Sequence, residues 1–138
     1  MANLRVRTMV FLLALTVFCS KMAVGEDLMF SGESLNTNEF LENGPYRFIM
    51  QGDCNLVLYV NGNRALWSSR TDGKGTSCRA TLQNDGNLVL LSGSSVVWNS
   101  RSAKGPNNYR LIVQGDGNVV IYGGALWATN TVQNRKRL

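Results

Sequence analysis

Histidine is absent from the 138-residue chain. Its absence removes the usual general base of enzymes and the commonest side-chain ligand of metal ions in proteins. Charged residues are also few, at 17% of the sequence. No Asn-x-Ser/Thr sequon occurs, so N-glycosylation is not expected. The composition therefore argues against histidine-based catalysis and against a metal site built on histidine.

The N-terminus has the features of a secretory signal peptide. Arg5 and Arg7 precede the apolar run MVFLLALTVF, and the small residues AVG stand before Glu26. The run is shorter than the roughly 20 apolar residues that a membrane-spanning helix needs, which favours a signal peptide over a membrane anchor. We therefore expect residues 1–25 to be removed after Gly25. The protein would then be secreted, or reach the vacuole through the secretory pathway, without membrane insertion.

The net charge of the whole chain, +5, is concentrated at its two ends. The expected leader carries three basic residues, and the basic C-terminal tail, residues 135–138, carries three more. Without these two segments, eight basic residues remain against nine acidic ones, a net charge of −1. A folded domain with that net charge and with no stripe of basic residues predicts that nucleic acid is not a partner.

Two cysteines remain once Cys19 is removed with the leader. An even pair in an exported chain, Cys54 and Cys78, predicts a disulfide. The alternative is two free buried thiols. A bond between them would close a loop of about 24 residues. In the loop-entropy model, this would stabilise the fold by roughly 3–4 kcal/mol.

Three copies of one sequence unit fill the expected mature domain, residues 26–134. The units cover about 46–71, 79–102 and 109–131. Their apolar runs are short, rich in Val, Leu and Ile, and interrupted by Gly, Asn and Asp, with no helical period, which predicts an all-β domain. Because one such unit cannot bury its own apolar face, we expect three units to close around a common axis.

Each unit contributes one tryptophan. Trp67, Trp98 and Trp127 each follow an aliphatic residue and recur at intervals of 31 and 29 residues. That regular placement favours tryptophans that fill a shared core. The alternative is that their rings stack against a bound sugar.

Each unit also contains a nine-residue motif with polar residues at alternate positions. The copies are QGDCNLVLY from Gln51, QNDGNLVLL from Gln83 and QGDGNVVIY from Gln114. On a strand, alternate residues share a face. The motif therefore presents two amides, a carboxylate, an aliphatic side chain and, in two copies, a phenol. This set suits the hydroxyls and C–H face of a sugar, and it lacks the cation that a phosphate site would need.

The length of the motif adds a constraint. Nine residues of straight strand span about 26 Å, much longer than one sugar ring. The pairs Asp85-Gly86 and Asp116-Gly117 are strong tight-turn signals, so we expect a hairpin that brings the two ends of the motif together. The alternative is that Asp, Gly and Asn are turn residues with no ligand.

Two copies match Q-x-D-x-N-x-V-x-Y, the mannose-binding signature of the bulb-type lectins of monocot plants. The chain resembles this family, which includes the snowdrop and garlic agglutinins and the orchid antifungal lectins, along essentially its whole mature length. The resemblance implies a β-prism II fold of three four-stranded antiparallel sheets with pseudo-three-fold symmetry. It also implies multivalent, calcium-independent mannose binding without a cofactor. A homodimer or homotetramer formed by exchange of C-terminal strands is implied as well, together with a role in defence against fungi or insects.

The resemblance assigns roles to the motif residues. In the first site, Asp53 and Asn55 would bind the axial 2-hydroxyl of mannose. Gln51 would bind the 3-hydroxyl and Tyr59 the 4-hydroxyl, with Val57 against the ring carbons. The third site would repeat these roles with Gln114, Asp116, Asn118, Val120 and Tyr122.

The second site departs from the signature. It keeps Gln83, Asp85, Asn87 and Val89, but Leu91 stands where tyrosine is expected. Losing one hydrogen bond of this kind costs about 0.5–1.5 kcal/mol, or several-fold in affinity. We expect two competent sites and one impaired site.

Other functions are less consistent with the sequence. A glycosidase needs two carboxyl groups about 5–9.5 Å apart, whereas Asp53, Asp85 and Asp116 belong to separate units, so we expect no enzyme. The Asp-x-Asn pair resembles a fragment of a calcium loop, but the remaining ligands are absent. The main alternative is a storage, taste-modifying or inhibitory protein of the same fold that no longer depends on sugar binding. Two intact motifs favour binding.

Overall fold

The computed structural model describes residues 25–123 and 127–133. The expected signal peptide up to residue 24, the aliphatic residue Leu126 and the basic tail lie outside the described residues. Within the described residues, no helix is long and apolar enough to cross a membrane.

Short β-strands account for all the regular structure in the described part of the chain. In chain order they are β1 Leu28–Phe30, β2 Ser34–Leu35, β3 Phe40–Asn43, β4 Tyr46–Met50, β5 Leu56–Val60, β6 Arg64–Ser68, β7 Arg79–Leu82, β8 Leu88–Ser92, β9 Ser95–Asn99, β10 Arg110–Val113, β11 Val119–Tyr122 and β12 Trp127–Ala128.

These strands form three four-stranded antiparallel sheets. We call them the first sheet (β3-β4-β5-β6), the second sheet (β2-β7-β8-β9) and the third sheet (β1-β10-β11-β12). The last three strands of each sheet come from one sequence unit, and β1, β2 and β3 each add the outer strand of a different sheet. The expected all-β class and three-sheet architecture are confirmed.

The three sheets bury their inner faces in one common core. The fully buried side chains include Phe48, Leu56 and Leu58 of the first sheet, Leu82, Leu88 and Leu90 of the second, and Leu111, Val119 and Ile121 of the third. Removing each such side chain from water contributes about 1.5–3 kcal/mol. Because all three sheets share this core, no unit buries its inner face alone.

The three tryptophans meet each other beside this core. Their ring centroids are 5.5 Å apart for Trp67 and Trp98, 5.4 Å for Trp67 and Trp127, and 6.0 Å for Trp98 and Trp127. All three pairs are edge-to-face, a preferred geometry for aromatic rings. The rings are partly buried and pack against the core cluster.

The expected disulfide is present and joins two sheets. Cys54, in the turn of the first motif, is bonded to Cys78, which immediately precedes β7 of the second sheet, and the two Cα atoms are 5.2 Å apart. Both residues are buried. The bond therefore fixes the first motif turn to the start of the second unit.

Candidate functional site

Each motif folds as a hairpin with a three-residue loop. In the first motif, the Gln51 N–H donates to the Asn55 carbonyl at 2.9 Å and the Cys54 N–H donates to the Gln51 carbonyl at 3.1 Å. The same pair of bonds closes the other two motifs. The last loop residue has a positive φ in every copy, 75° at Cys54, 88° at Gly86 and 84° at Gly117, which explains why glycine is found in two of them. The expected bend is confirmed.

The hairpin brings the first and last residues of the intact motifs into contact. The Gln51 Nε2 group donates to the Tyr59 hydroxyl at 2.5 Å, and Gln114 donates to Tyr122 in the same way. An amide nitrogen can only donate, so each tyrosine oxygen accepts and its own proton remains available. Each intact site therefore presents a phenolic donor and a glutamine carbonyl acceptor side by side.

The motif aspartates use one carboxylate oxygen to hold the turn. Oδ1 of Asp53 accepts the Asn55 backbone N–H at 2.9 Å, and Asp116 does the same for Asn118 at 3.0 Å. Within the described part of the chain, the second oxygen of each carboxylate has no protein donor. Asp53 and Asp116 are exposed, whereas Asp85 is half-buried. The exposed oxygens can accept hydrogen bonds from ligand hydroxyls.

A second polar segment, which lies outside the nine-residue motif, supports each motif. Hydroxyl residues stand two and four positions after each tryptophan, in WSSRT, WNSRS and WATNT. In the first site, Asn55 Oδ1 accepts from the Ser69 hydroxyl and from the Thr71 N–H, both at 3.2 Å. Ser69 and Thr71 are buried and also bond to each other at 2.7 Å. Aligning the repeats beyond the tryptophan would have revealed this recurrent W-x-[ST]-x-[ST] pattern.

This hydroxyl network fixes the orientation of the motif asparagine. Buried hydroxyls and backbone N–H groups need hydrogen-bond partners, and here they converge on the asparagine oxygen. The Nδ2 group of Asn55 or Asn118 therefore faces away from the network. Each intact site gains a fixed amide donor beside the aspartate acceptor.

The motif valines differ from the open aliphatic patch that strand alternation suggests. Val57, Val89 and Val120 are only 2%, 3% and 4% exposed. They lie on the central strands β5, β8 and β11, flanked on both sides by neighbouring strands, yet outside the central core cluster. Only a small part of each valine is accessible to a ligand, so polar contacts dominate what the site offers.

The second site lacks the contact that joins the ends of the motif. Leu91 occupies the tyrosine position, and within the described residues the Gln83 side chain makes no hydrogen bond. Leu91 pairs across the strands with Val96, which is 60% exposed. The far end of this site is therefore apolar where the other two sites carry a phenol.

Acidic groups are dispersed over the described surface. The motif aspartates lie in the hairpins of three different sheets, as the repeat pattern predicts. Among residues 25–123 and 127–133, no group of three or more His, Cys, Asp or Glu side chains is placed to hold a metal ion.

Solved structures of plant lectins are similar to the chain in fold and sequence. A monomeric monocot mannose-binding lectin from Gastrodia elata is 49% identical, with a TM-score of 0.76, and the match covers 78% of this chain and all of that one. The snowdrop (Galanthus nivalis) mannose-specific agglutinin, solved with methyl-α-D-mannoside, is 44% identical, with a TM-score of 0.69. That match covers 79% of this chain and all of the agglutinin.

Curated proteins give shorter matches. A mannose-specific lectin of Aloe arborescens is 54% identical over 65 residues, which are 47% of this chain and 59% of that protein. Curculin-2 of Molineria latifolia is 40% identical over 83 residues, 58% of this chain and 52% of that protein. The chain spans about half the length of the curated relatives that it matches first. No family model matches it.

Proposed function

The chain belongs to the family of monocot mannose-binding lectins, and from that premise we propose that it binds terminal mannose through its first and third motif hairpins. The observation that carries the proposal is the glutamine–tyrosine hydrogen bond in those two hairpins. It fixes a donor and an acceptor next to the outward aspartate oxygen and asparagine nitrogen. A sugar with adjacent hydroxyls can satisfy all four groups at once.

The chemistry of the site favours a neutral sugar as the ligand. Each hydroxyl can both donate and accept, so it can bridge an aspartate oxygen and an asparagine nitrogen. The first site would use Gln51, Asp53, Asn55, Val57 and Tyr59, and the third site the corresponding residues from Gln114 to Tyr122. No catalytic step is proposed, because each motif supplies one carboxylate and glycoside hydrolysis needs two.

Binding is expected to be independent of calcium. The protein should be retained on immobilised mannose in buffer containing a chelator such as EDTA and should elute with free mannose. Its elution volume should be the same when calcium replaces the chelator. Passage through the column without retention in both buffers would contradict the proposed function.

The main alternative is a protein of this fold with a storage, taste-modifying or inhibitory role. Similarity to Curculin-2, a relative that is not named a lectin, is consistent with this alternative. The two intact glutamine–tyrosine pairs favour sugar binding, since a protein that did not use its sites would have no need to keep them. The same mannose column separates the two functions.

Several weak sites suit recognition of dense glycans. Several sites on one protein or one oligomer bind a mannose-rich surface with an avidity well above the affinity of a single site. We therefore place the protein in defence against fungi or insects, as a secreted or vacuolar lectin. Binding to intact fungal cell walls that free mannose reverses would support this role, and equal binding in saturating mannose would contradict it.

Assembly by C-terminal strand exchange is part of the same proposal. In the described chain, β12 pairs with β11 of its own sheet. Its neighbours Thr129 and Thr131 hold Asn118 of the third site. Exchange of this segment between two copies would therefore build each third site from two chains, as a homodimer or, after further pairing, a homotetramer.

Native mass spectrometry of the secreted protein tests both processing and assembly. We expect a chain that starts at Glu26 and a particle of two or four such chains. A mass that includes the leader would contradict cleavage after Gly25. A single-chain particle at micromolar concentration would contradict strand exchange, while leaving the two sugar sites in place.

A further inference from the structure

The side-chain oxygen of each motif asparagine is fixed by the structure. In the second site, Asn87 Oδ1 accepts from the Ser100 hydroxyl at 3.1 Å and from the Ser102 backbone N–H at 3.3 Å. A backbone N–H can only donate, so the amide oxygen must face it and Nδ2 must face the opposite side. Asn55 and Asn118 are held in the same way. All three sites thus turn the same amide donor away from the hydroxyl network.

In the second site this donor already has a protein acceptor. Asn87 Nδ2 donates to Asn99 Oδ1 at 3.4 Å. Asn99 Oδ1 is itself fixed by the Arg101 backbone N–H, which donates to it at 2.9 Å. Among the described residues, no acceptor bonds to Asn55 Nδ2 or Asn118 Nδ2. The 3.4 Å bond is long and therefore weak, but it places the Asn99 carboxamide oxygen against the Asn87 amide nitrogen.

Asn99 is also the largest residue at its position among the three sheets. The strand register pairs it with the motif valine of the second sheet. The equivalent positions in the first and third sheets are Ser68 and Ala128. Serine and alanine have shorter side chains, whereas the carboxamide of Asn99 is long enough to reach Asn87.

We propose that Asn99 impairs the second site by engaging the amide donor that mannose would use. The proposal rests on the proposed function of the motif hairpins. Leu91 removes the phenol at one end of the site, and Asn99 covers the donor at the other end. The two residues act on different ligand contacts, so restoring tyrosine at position 91 leaves the site impaired.

The test compares the wild type with Leu91→Tyr, Asn99→Ala and the double variant. Methyl α-mannoside is titrated while NMR follows the backbone amide signals of Asn55, Asn87 and Asn118, one in each hairpin. In the Leu91→Tyr variant, we expect the second site to stay about tenfold weaker than the third. In the double variant, the two dissociation constants should agree within about threefold.

Ala128→Asn is the matched converse in the third sheet. It should weaken the third site about tenfold and leave the first site unchanged. The hairpins themselves should remain folded in both variants, because Asn99 shows that the segment after the tryptophan forms with an asparagine at this position, and Ala128 shows that it forms without one.

Three results would overturn this role of Asn99. They are a Leu91→Tyr variant whose second site already matches the third, a double variant whose second site stays silent, and an Ala128→Asn variant with an unchanged third site. A wild-type protein whose first and third hairpins do not respond to the sugar would instead overturn the proposed function.

Discussion

Replacing Asp53 and Asp116 together by asparagine should abolish retention on immobilised mannose. In each hairpin, Oδ1 accepts the backbone N–H of the motif asparagine, and an asparagine side chain can keep that bond. Its nitrogen would then replace the outward carboxylate oxygen, so the site would present a donor where it needs an acceptor. Losing a hydrogen bond to a charged group costs about 1.5–3 kcal/mol, a roughly 10- to 100-fold loss of affinity at each site.

The controls separate this loss from a general effect of charge or folding. Asp72→Asn removes an exposed carboxylate outside the motifs and should leave retention unchanged. Asp85→Asn, in the second site, should also have little effect on retention. Full retention of the Asp53→Asn, Asp116→Asn double variant would contradict the role of the two aspartates.

Removing the disulfide should lower the free energy of unfolding by about 3–4 kcal/mol. The bond closes a loop with a sequence separation of 24 residues and so restricts the unfolded chain. Stability of a domain this size is typically about 5–15 kcal/mol, so this is a large fraction. Urea denaturation followed by tryptophan fluorescence measures the change, because the three tryptophans lie together at the core.

The choice of variant separates the cross-link from the turn. Cys54 has a positive φ, as Gly86 and Gly117 do at the equivalent turn positions. The double variant Cys54→Gly, Cys78→Ser therefore keeps a turn residue that adopts this conformation without strain. A loss of less than about 1 kcal/mol would show that the bond contributes little beyond the packing around it.

The repeat pattern predicts the main features of the fold because the same signals occur in all three units. The tight-turn signals at Asp85-Gly86 and Asp116-Gly117 predict the hairpins that the structure contains. The outer strands β1, β2 and β3 have only two to four residues. Such segments are too short to show an alternating pattern, and their pairing depends on sheets formed by residues far along the chain.

The candidate site was predictable in its motif residues and less so in their surroundings. In the sequence, Ser69 and Thr71 cannot be told from ordinary polar residues. In the structure, the Ser69 hydroxyl bonds to Asn55 and to the Thr71 hydroxyl. The burial of Val57 depends on the strands on both sides of it, which a single strand pattern does not reveal. Asn99 likewise matters only because the strand register places it beside the second motif.

Isothermal titration of the wild-type protein with methyl α-mannoside tests the central claim most directly. The structure has two hairpins with the glutamine–tyrosine contact and one hairpin without it. We predict two equivalent sites per chain, with no comparable third site. Three equivalent sites per chain, or no heat of binding at millimolar sugar, would contradict this account.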